Sequence, residues 1–119
     1  MDSQPANSLT LTSGVAGVMP PPGWAVMASV CSAVEGLARG LAVDLKPIRV
    51  NVVRPGAVHT ELFGQFGDQL PMYVEMFKSN SLTGTVGKPE DLADAYLHFM
   101  KDSFITGTVT ASDGGRSLI

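Results

Sequence analysis

Cysteine is almost missing from this 119-residue chain. Cys31 stands alone, which excludes an internal disulfide framework and any cysteine-built zinc site. Charge is scarce too, at 16% of residues against the roughly 25% usual in soluble domains. The 8 Lys and Arg against 11 Asp and Glu leave a net charge of −3, with no basic surplus to neutralise phosphates. Nucleic acid and anionic membrane surfaces are therefore not expected as partners. His98 stands four residues after Asp94, but no HExxH pattern or third ligand accompanies it, so no metal is expected. The start, Met1-Asp2, lacks the basic region of a secretory signal. An uncharged run from Ser3 to Val34 is longer than the roughly 20 residues that cross a bilayer. Pro20, Pro21 and Pro22 interrupt it, and the part compatible with a helix, Trp24 to Val34, would extend only about 17 Å. A cytoplasmic protein without a membrane span is the expectation.

The remaining residues organise as one continuous α/β segment, a single domain over residues 1–119. Ser8 to Ser13 alternates apolar and hydroxyl side chains and reads as a first strand. Gly14, Gly17 and the three prolines force a loop. Trp24 to Leu45 then reads as a helix with an apolar stripe of Met27, Val30, Val34, Leu37 and Leu41. A second stripe, Ala28, Ser32, Gly36 and Gly40, is small throughout. Its two glycines cost about 1 kcal/mol each in helix propensity, which predicts close approach of another element there. Glu35 and Arg39, spaced i,i+4, mark the expected solvent side. Ile48 to Val53 is a second strand ended by Pro55-Gly56, and the strand–helix–strand order predicts a parallel pair. Helices are expected over Asp68 to Lys78 and Pro89 to Lys101. The latter has proline in its first turn, Glu90 and Asp91 at the positive end of its dipole and Lys101 at the negative end. Thr108 to Ala111 is a third short strand before the Asp113-Gly114-Gly115 turn.

Ala33 to Asn51 (AVEGLARGLAVDLKPIRVN), followed by Arg54-Pro-Gly-Ala-Val-His-Thr60, resembles the short-chain dehydrogenase/reductase family. Gly87-Lys-Pro-Glu-Asp-Leu-Ala93, and Ile105-Thr-Gly107 through Asp113-Gly-Gly115, are similar to the same family's last helix and last strand. The resemblance covers the family's C-terminal half. It implies a partial Rossmann-like α/β fold of about three parallel strands with flanking helices, and NAD(P)-dependent oxidoreductase ancestry. The glycine-rich turn that holds the cofactor pyrophosphate belongs to the family's other half. Within these 119 residues, Gly14-Val-Ala-Gly17, Gly64-Gln-Phe-Gly67 and Gly84-Thr-Val-Gly87-Lys88 do not fit such a cradle.

The resemblance also locates the family's catalytic serine, tyrosine and lysine positions, and here they are Gly14 (with Ser13 beside it), Met27 and Cys31. Tyr73–Lys78 and Tyr96–Lys101 do not replace the couple. Their i,i+5 spacing sets the side chains about 140° apart around a helix, against about 40° for i,i+4. No catalytic residue is therefore assigned; Ser13, Trp24 and His59 are the weaker candidates. Cys31, with no positive neighbour within a turn, reads as a small buried hydrophobe. What matches the family's nicotinamide contacts is Pro55, Gly56, Val58 and Thr60, which read equally as a strand end and a cap.

Three functions follow. One is a truncated, reductase-like protein without redox activity alone, acting by self-association or with a full-length relative, with no cofactor bound by the isolated chain. A second is a non-redox isomerase or cyclase of a secondary-metabolite pathway, with Trp24 and His59 shaping a site for a small apolar substrate. The third is an NAD(P)-dependent reductase completed by a second chain.

Overall fold

The computed structural model describes residues 7–119, apart from the side chain of Leu62. The reading of Met1-Asp2 and the first residues of the uncharged run fall outside that range. Three strands, β1 (Ser8–Thr12), β2 (Arg49–Pro55) and β3 (Val109–Ser112), form one parallel sheet in the order β1-β2-β3. The register sets Ser8 opposite Arg49 and Thr12 opposite Val53, then Val52 opposite Val109 and Pro55 opposite Ser112. Helix α1 (Ala25–Asp44) crosses from β1 to β2; α2 (Leu70–Ser79) and α3 (Pro89–Lys101) lie between β2 and β3. The expected α/β class, partial Rossmann-like topology and parallel pairing are all present.

The period-2 alternation of β2 explains how the layers assemble. Val50 and Val52 are fully buried and pack with Ala38 of α1, joined by Leu9, Leu11, Leu41, Ala42 and Val109. Each buried valine is worth roughly 1.5–3 kcal/mol relative to exposure. The alternate residues serve the segment from α3 to β3. The Arg49 guanidinium donates to the carbonyls of Phe99, Met100 and Ile105, at 2.5, 3.2 and 3.4 Å. Asn51 donates Nδ2 to the Ile105 carbonyl and accepts from the Thr108 N–H, both at 3.1 Å. A buried arginine and a buried asparagine thus satisfy the backbone where α3 ends and β3 begins.

Helix α3 occupies the expected bounds. Pro89 lies at its start, and the Asp91 carboxylate accepts from the Lys88 N–H at 2.9 Å. Helix α2 starts two residues later than expected, because Glu61–Gln69 forms two 3-10 turns joined at Gly67, whose φ of +55° suits glycine.

Helix α1 corrects two expectations about its faces. Glu35 is buried, not on the solvent side. Gly36 and Gly40 face open space, with nothing within 4 Å of where a Cβ would stand. The close approach is real but lies elsewhere: Cys31 and Ala38 are the buried small residues, and Gly17 of the preceding loop presses on Cys31 and Ser32. Met27, Val30 and Leu37 are consequently about half exposed. By length and composition α1 is long and apolar enough to cross a bilayer. In this fold it is the crossover helix between two parallel strands, with the buried Glu35 at its middle.

Candidate functional site

Ligands of parallel α/β sheets bind beyond the carboxyl ends of the strands. Here that rim consists of the loop after β1, the loop after β2 and the turn after β3. After β2, Gly56 donates its N–H to the Ser112 carbonyl at 2.9 Å and lies against Asp113; a Cβ on Gly56 would fall 2.8 Å from Asp113 Cα. Only glycine fits that approach. The chain then pairs with Gly87: the Gly87 N–H donates to Ala57 at 3.0 Å and the His59 N–H donates to Gly87 at 2.9 Å. Val58 is buried by this bridge. Thr60 opens the following 3-10 turn, its carbonyl accepting from the Phe63 N–H at 3.0 Å. Pro55, Gly56, Val58 and Thr60 are therefore held by backbone pairing and a turn hydrogen bond.

His59 is exposed, its ring edge-on to Phe63 at 5.0 Å. Phe63 leads an aromatic cluster with Phe66, Tyr73 and Phe77, in which Tyr73 stacks on Phe66 at 4.2 Å. Tyr73 is thus a packing residue, and Lys78 pairs with Glu75 instead. An open hollow is lined by His59, Thr60, Glu61 and Pro89. Tyr96 hydrogen-bonds Thr12 Oγ1 across to β1, which occupies its hydroxyl.

The loop after β1 brings two of the family's catalytic positions together. A Cβ on Gly14 would lie 3.1 Å from Cys31 Sγ, so the positions of the serine and the lysine are in direct contact. Gly14 brings no side chain to this contact, and Cys31 brings a buried free thiol. Met27, at the tyrosine position, lies one turn before Cys31 and is 48% exposed. It shares a second open hollow with Gly23, Trp24 and Val26, and Trp24 is 49% exposed. Trp24 and His59 therefore line different hollows.

Ser13 carries a hydroxyl beside the serine position, but it donates to Glu35 Oε2 at 2.8 Å. Glu35 also accepts two hydrogen bonds from Arg54, at 2.9 and 2.7 Å. The Arg54 guanidinium holds the Glu35 carboxyl below the usual carboxylate range, against the opposing effect of burial and with help from Ser13. Reading the sequence missed this cluster. The available signal was Arg54 itself, a charge at a position where the alternation of Val50 and Val52 calls for an apolar residue. Among the described residues no group of three His, Cys, Asp or Glu could hold a metal ion.

A family model described as an SDR-like Rossmann domain matches residues 1–119. The short-chain dehydrogenase/reductase malC of Malbranchea aurantiaca is 49% identical over 119 residues, covering 99% of this chain and 45% of that protein. A solved structure of MalC Reductase/Diels-Alderase from the same organism superposes with a TM-score of 0.97 at 48% identity, over 100% of this chain and 46% of that one. A small-chain dehydrogenase solved in complex with NADPH gives a TM-score of 0.92 at 36% identity, over 96% of this chain and 52% of the other. The bovine 3-oxoacyl-[acyl-carrier-protein] reductase is 31% identical over 120 residues, covering 99% of this chain and 48% of that protein. The chain spans about half the length of the curated relatives it matches.

Proposed function

The chain belongs to the short-chain dehydrogenase/reductase family, and on that premise we propose that it supplies the substrate-facing half of such a fold without transferring hydride by itself. It acts through association with another copy or with a longer relative inside the cell. The observation that carries this reading is the contact of Gly14 with Cys31, with Met27 one turn away. A tyrosine acts as an acid/base at neutral pH only when a neighbouring cation stabilises its ionised form. None of the three positions offers a phenol, a hydroxyl or an ammonium group.

The residues fit a nicotinamide cofactor only in part. The rim from Pro55 to Thr60 is held by backbone hydrogen bonds and presents Thr60 beside an open hollow, which suits the nicotinamide end. The position that would hold the ribose is a buried cysteine, and these 119 residues contain no glycine-rich pyrophosphate turn. Association is supported by the outer face of α1, where Val26 is 79% and Val43 67% exposed, with the glycines Gly36 and Gly40 open beside them. Apolar surface of this kind is used for protein contacts or leads to aggregation.

Calorimetric titration with NADPH and NADH, on a sample whose native mass is measured first, tests the proposal. The expected result is no binding at millimolar cofactor together with a mass above that of the monomer. Saturable micromolar binding by a monomer would overturn it.

A second reading rests on a different observation. The relative at 48–49% identity is described as a reductase/Diels-Alderase, and this chain presents a half-exposed tryptophan in the hollow it shares with Met27. A cyclase working by proximity needs shape and an apolar surface, not a proton couple. Under this reading, Trp24→Ala lowers the turnover of a small apolar substrate, and unchanged turnover in both Trp24→Ala and His59→Ala counts against it.

A further inference from the structure

Glu35 is a buried carboxylate that the proposed function leaves unused, and it lies where three chain segments meet. Extending the register of β1 and β2 by one residue sets Ser13 beside Arg54, in the row above Leu11, Val52 and Val109. Both donate to Glu35 of α1. Ser13 opens the loop that carries Gly14, and Arg54 immediately precedes Pro55-Gly56.

We infer that Glu35 is a positioning residue, whose carboxylate locks the loop after β1 and the loop after β2 to one point on α1 and so fixes the two ligand-facing strand ends relative to each other.

Two other roles fit less well. Ser13 and Glu35 have the spacing of a nucleophile and base, but both carboxylate oxygens already accept from the guanidinium, which keeps the group ionised and weakly basic. Stability is also a poor reason for the pair, because replacing a buried ion pair with well-packed apolar residues is often neutral or stabilising. A bidentate guanidinium–carboxylate contact does supply a fixed angle between its two elements. The charges around it are Arg39, one turn along α1, and Asp113 after β3, which acts on Arg54; Cys31 is the buried thiol one turn earlier. Through Gly56 and Asp113 the same network reaches the third strand end.

The inference rests on reading these loops as the ligand-facing side, but its test needs no ligand. Amide hydrogen exchange is measured on the full chain and on the double variant Glu35→Leu/Arg54→Met. Three amides report on the rim: Ser13 to the Val53 carbonyl, Gly56 to Ser112 and His59 to Gly87. Val52 to Thr108 is the internal reference within the sheet. The expected result is a melting temperature at or above that of the wild type, with the rim amides exchanging about tenfold faster and Val52 unchanged. Unchanged rim protection, or equal loss at Val52, overturns the inference. Should the double variant fail to fold, a wild-type series from pH 7 to 3, corrected for intrinsic exchange, decides instead. Loss at the rim before Val52 upholds the inference; simultaneous loss overturns it. A failure of the cofactor and association reading would leave these rates untouched.

Discussion

The contact between Gly14 and Cys31 predicts a specific non-additivity. Gly14 has extended backbone, φ −166° and ψ 154°, which any residue adopts. Alanine there should therefore gain about 0.4–1 kcal/mol by restricting the unfolded chain. The new Cβ would stand 3.1 Å from Cys31 Sγ, and no other described heavy atom outside the adjacent residues lies within 4 Å. Cys31 is buried and Gly17 approaches its Cβ, so the side chain is packed on that side as well. Overpacking of this kind costs about 1–3 kcal/mol. Gly14→Ala alone is thus expected to destabilise by about 1 kcal/mol, the difference between the two effects.

In a Cys31→Ala background the opposing atom is gone, and the same substitution should become neutral or stabilising. The double-mutant cycle should therefore show a coupling of about 1–2 kcal/mol. Urea denaturation of the four proteins, followed by the fluorescence of the single tryptophan, gives the midpoints and slopes needed. Additive effects within about 0.3 kcal/mol would refute the reasoning. They would also remove the packing explanation for the missing side chain at the serine position.

Four further outcomes follow from the same packing. Phe99→Ala, at a fully buried position, should cost about 3–5 kcal/mol by thermal or urea unfolding. Arg49→Met should cost at least about 2 kcal/mol, because the carbonyls of Phe99 and Met100 lose their donor while Ile105 keeps Asn51, and α3 amides near Lys101 should exchange faster than those near Pro89. Gly56→Ala should destabilise by about 1–3 kcal/mol, measured as a lower urea midpoint, since its Cβ meets Asp113 backbone, not a mobile side-chain tip. The pH dependence of stability should carry a Glu35 contribution. Its folded pKa lies below the unfolded value, so that contribution is present in full above about pH 4.5 and is lost as pH falls through the folded pKa. Glu35→Gln should flatten this acid limb of the stability curve, and an identical slope in wild type and variant would contradict the burial of the pair.

Much of the fold is legible in the sequence wherever local chemistry sets an element's ends. The bounds of α3 follow from Pro89, Asp91 and Lys101, and the place of β2 from its β-branched run, although the strand is Arg49–Pro55 and not Ile48 to Val53. The faces of α1 are less legible, because apolar stripes at i,i+3,i+4 run on two sides of it. Which one turns inward is decided by how closely the helix must approach a parallel sheet. That choice favours Cys31 and Ala38 over the larger Met27 and Leu37. Glu35 illustrates the same limit. Its i,i+4 partner Arg39 is local and visible, whereas its actual partner, Arg54, comes from a strand 19 residues on. At the candidate site, the loss of the family's serine, tyrosine and lysine is readable by position, but that two of those positions touch appears only in three dimensions.

That contact bears on how the site changed. In a reductase of this family the three positions need room for a hydroxyl, a phenol and an ammonium group to share a proton network. Here Gly14 and Gly17 lie against Cys31, and the hydroxyl, phenol and ammonium groups are all missing from those positions. Restoring Met27→Tyr and Cys31→Lys alone would leave the serine position without a hydroxyl, since Gly14 has no side chain. The rim after β2 has a different fate, since Gly87 and Ser112 hold it by backbone pairing. The side chains of the family's proton network are absent, whereas the rim built from backbone pairing is present. This is the pattern expected if the chain keeps a binding surface while giving up proton transfer.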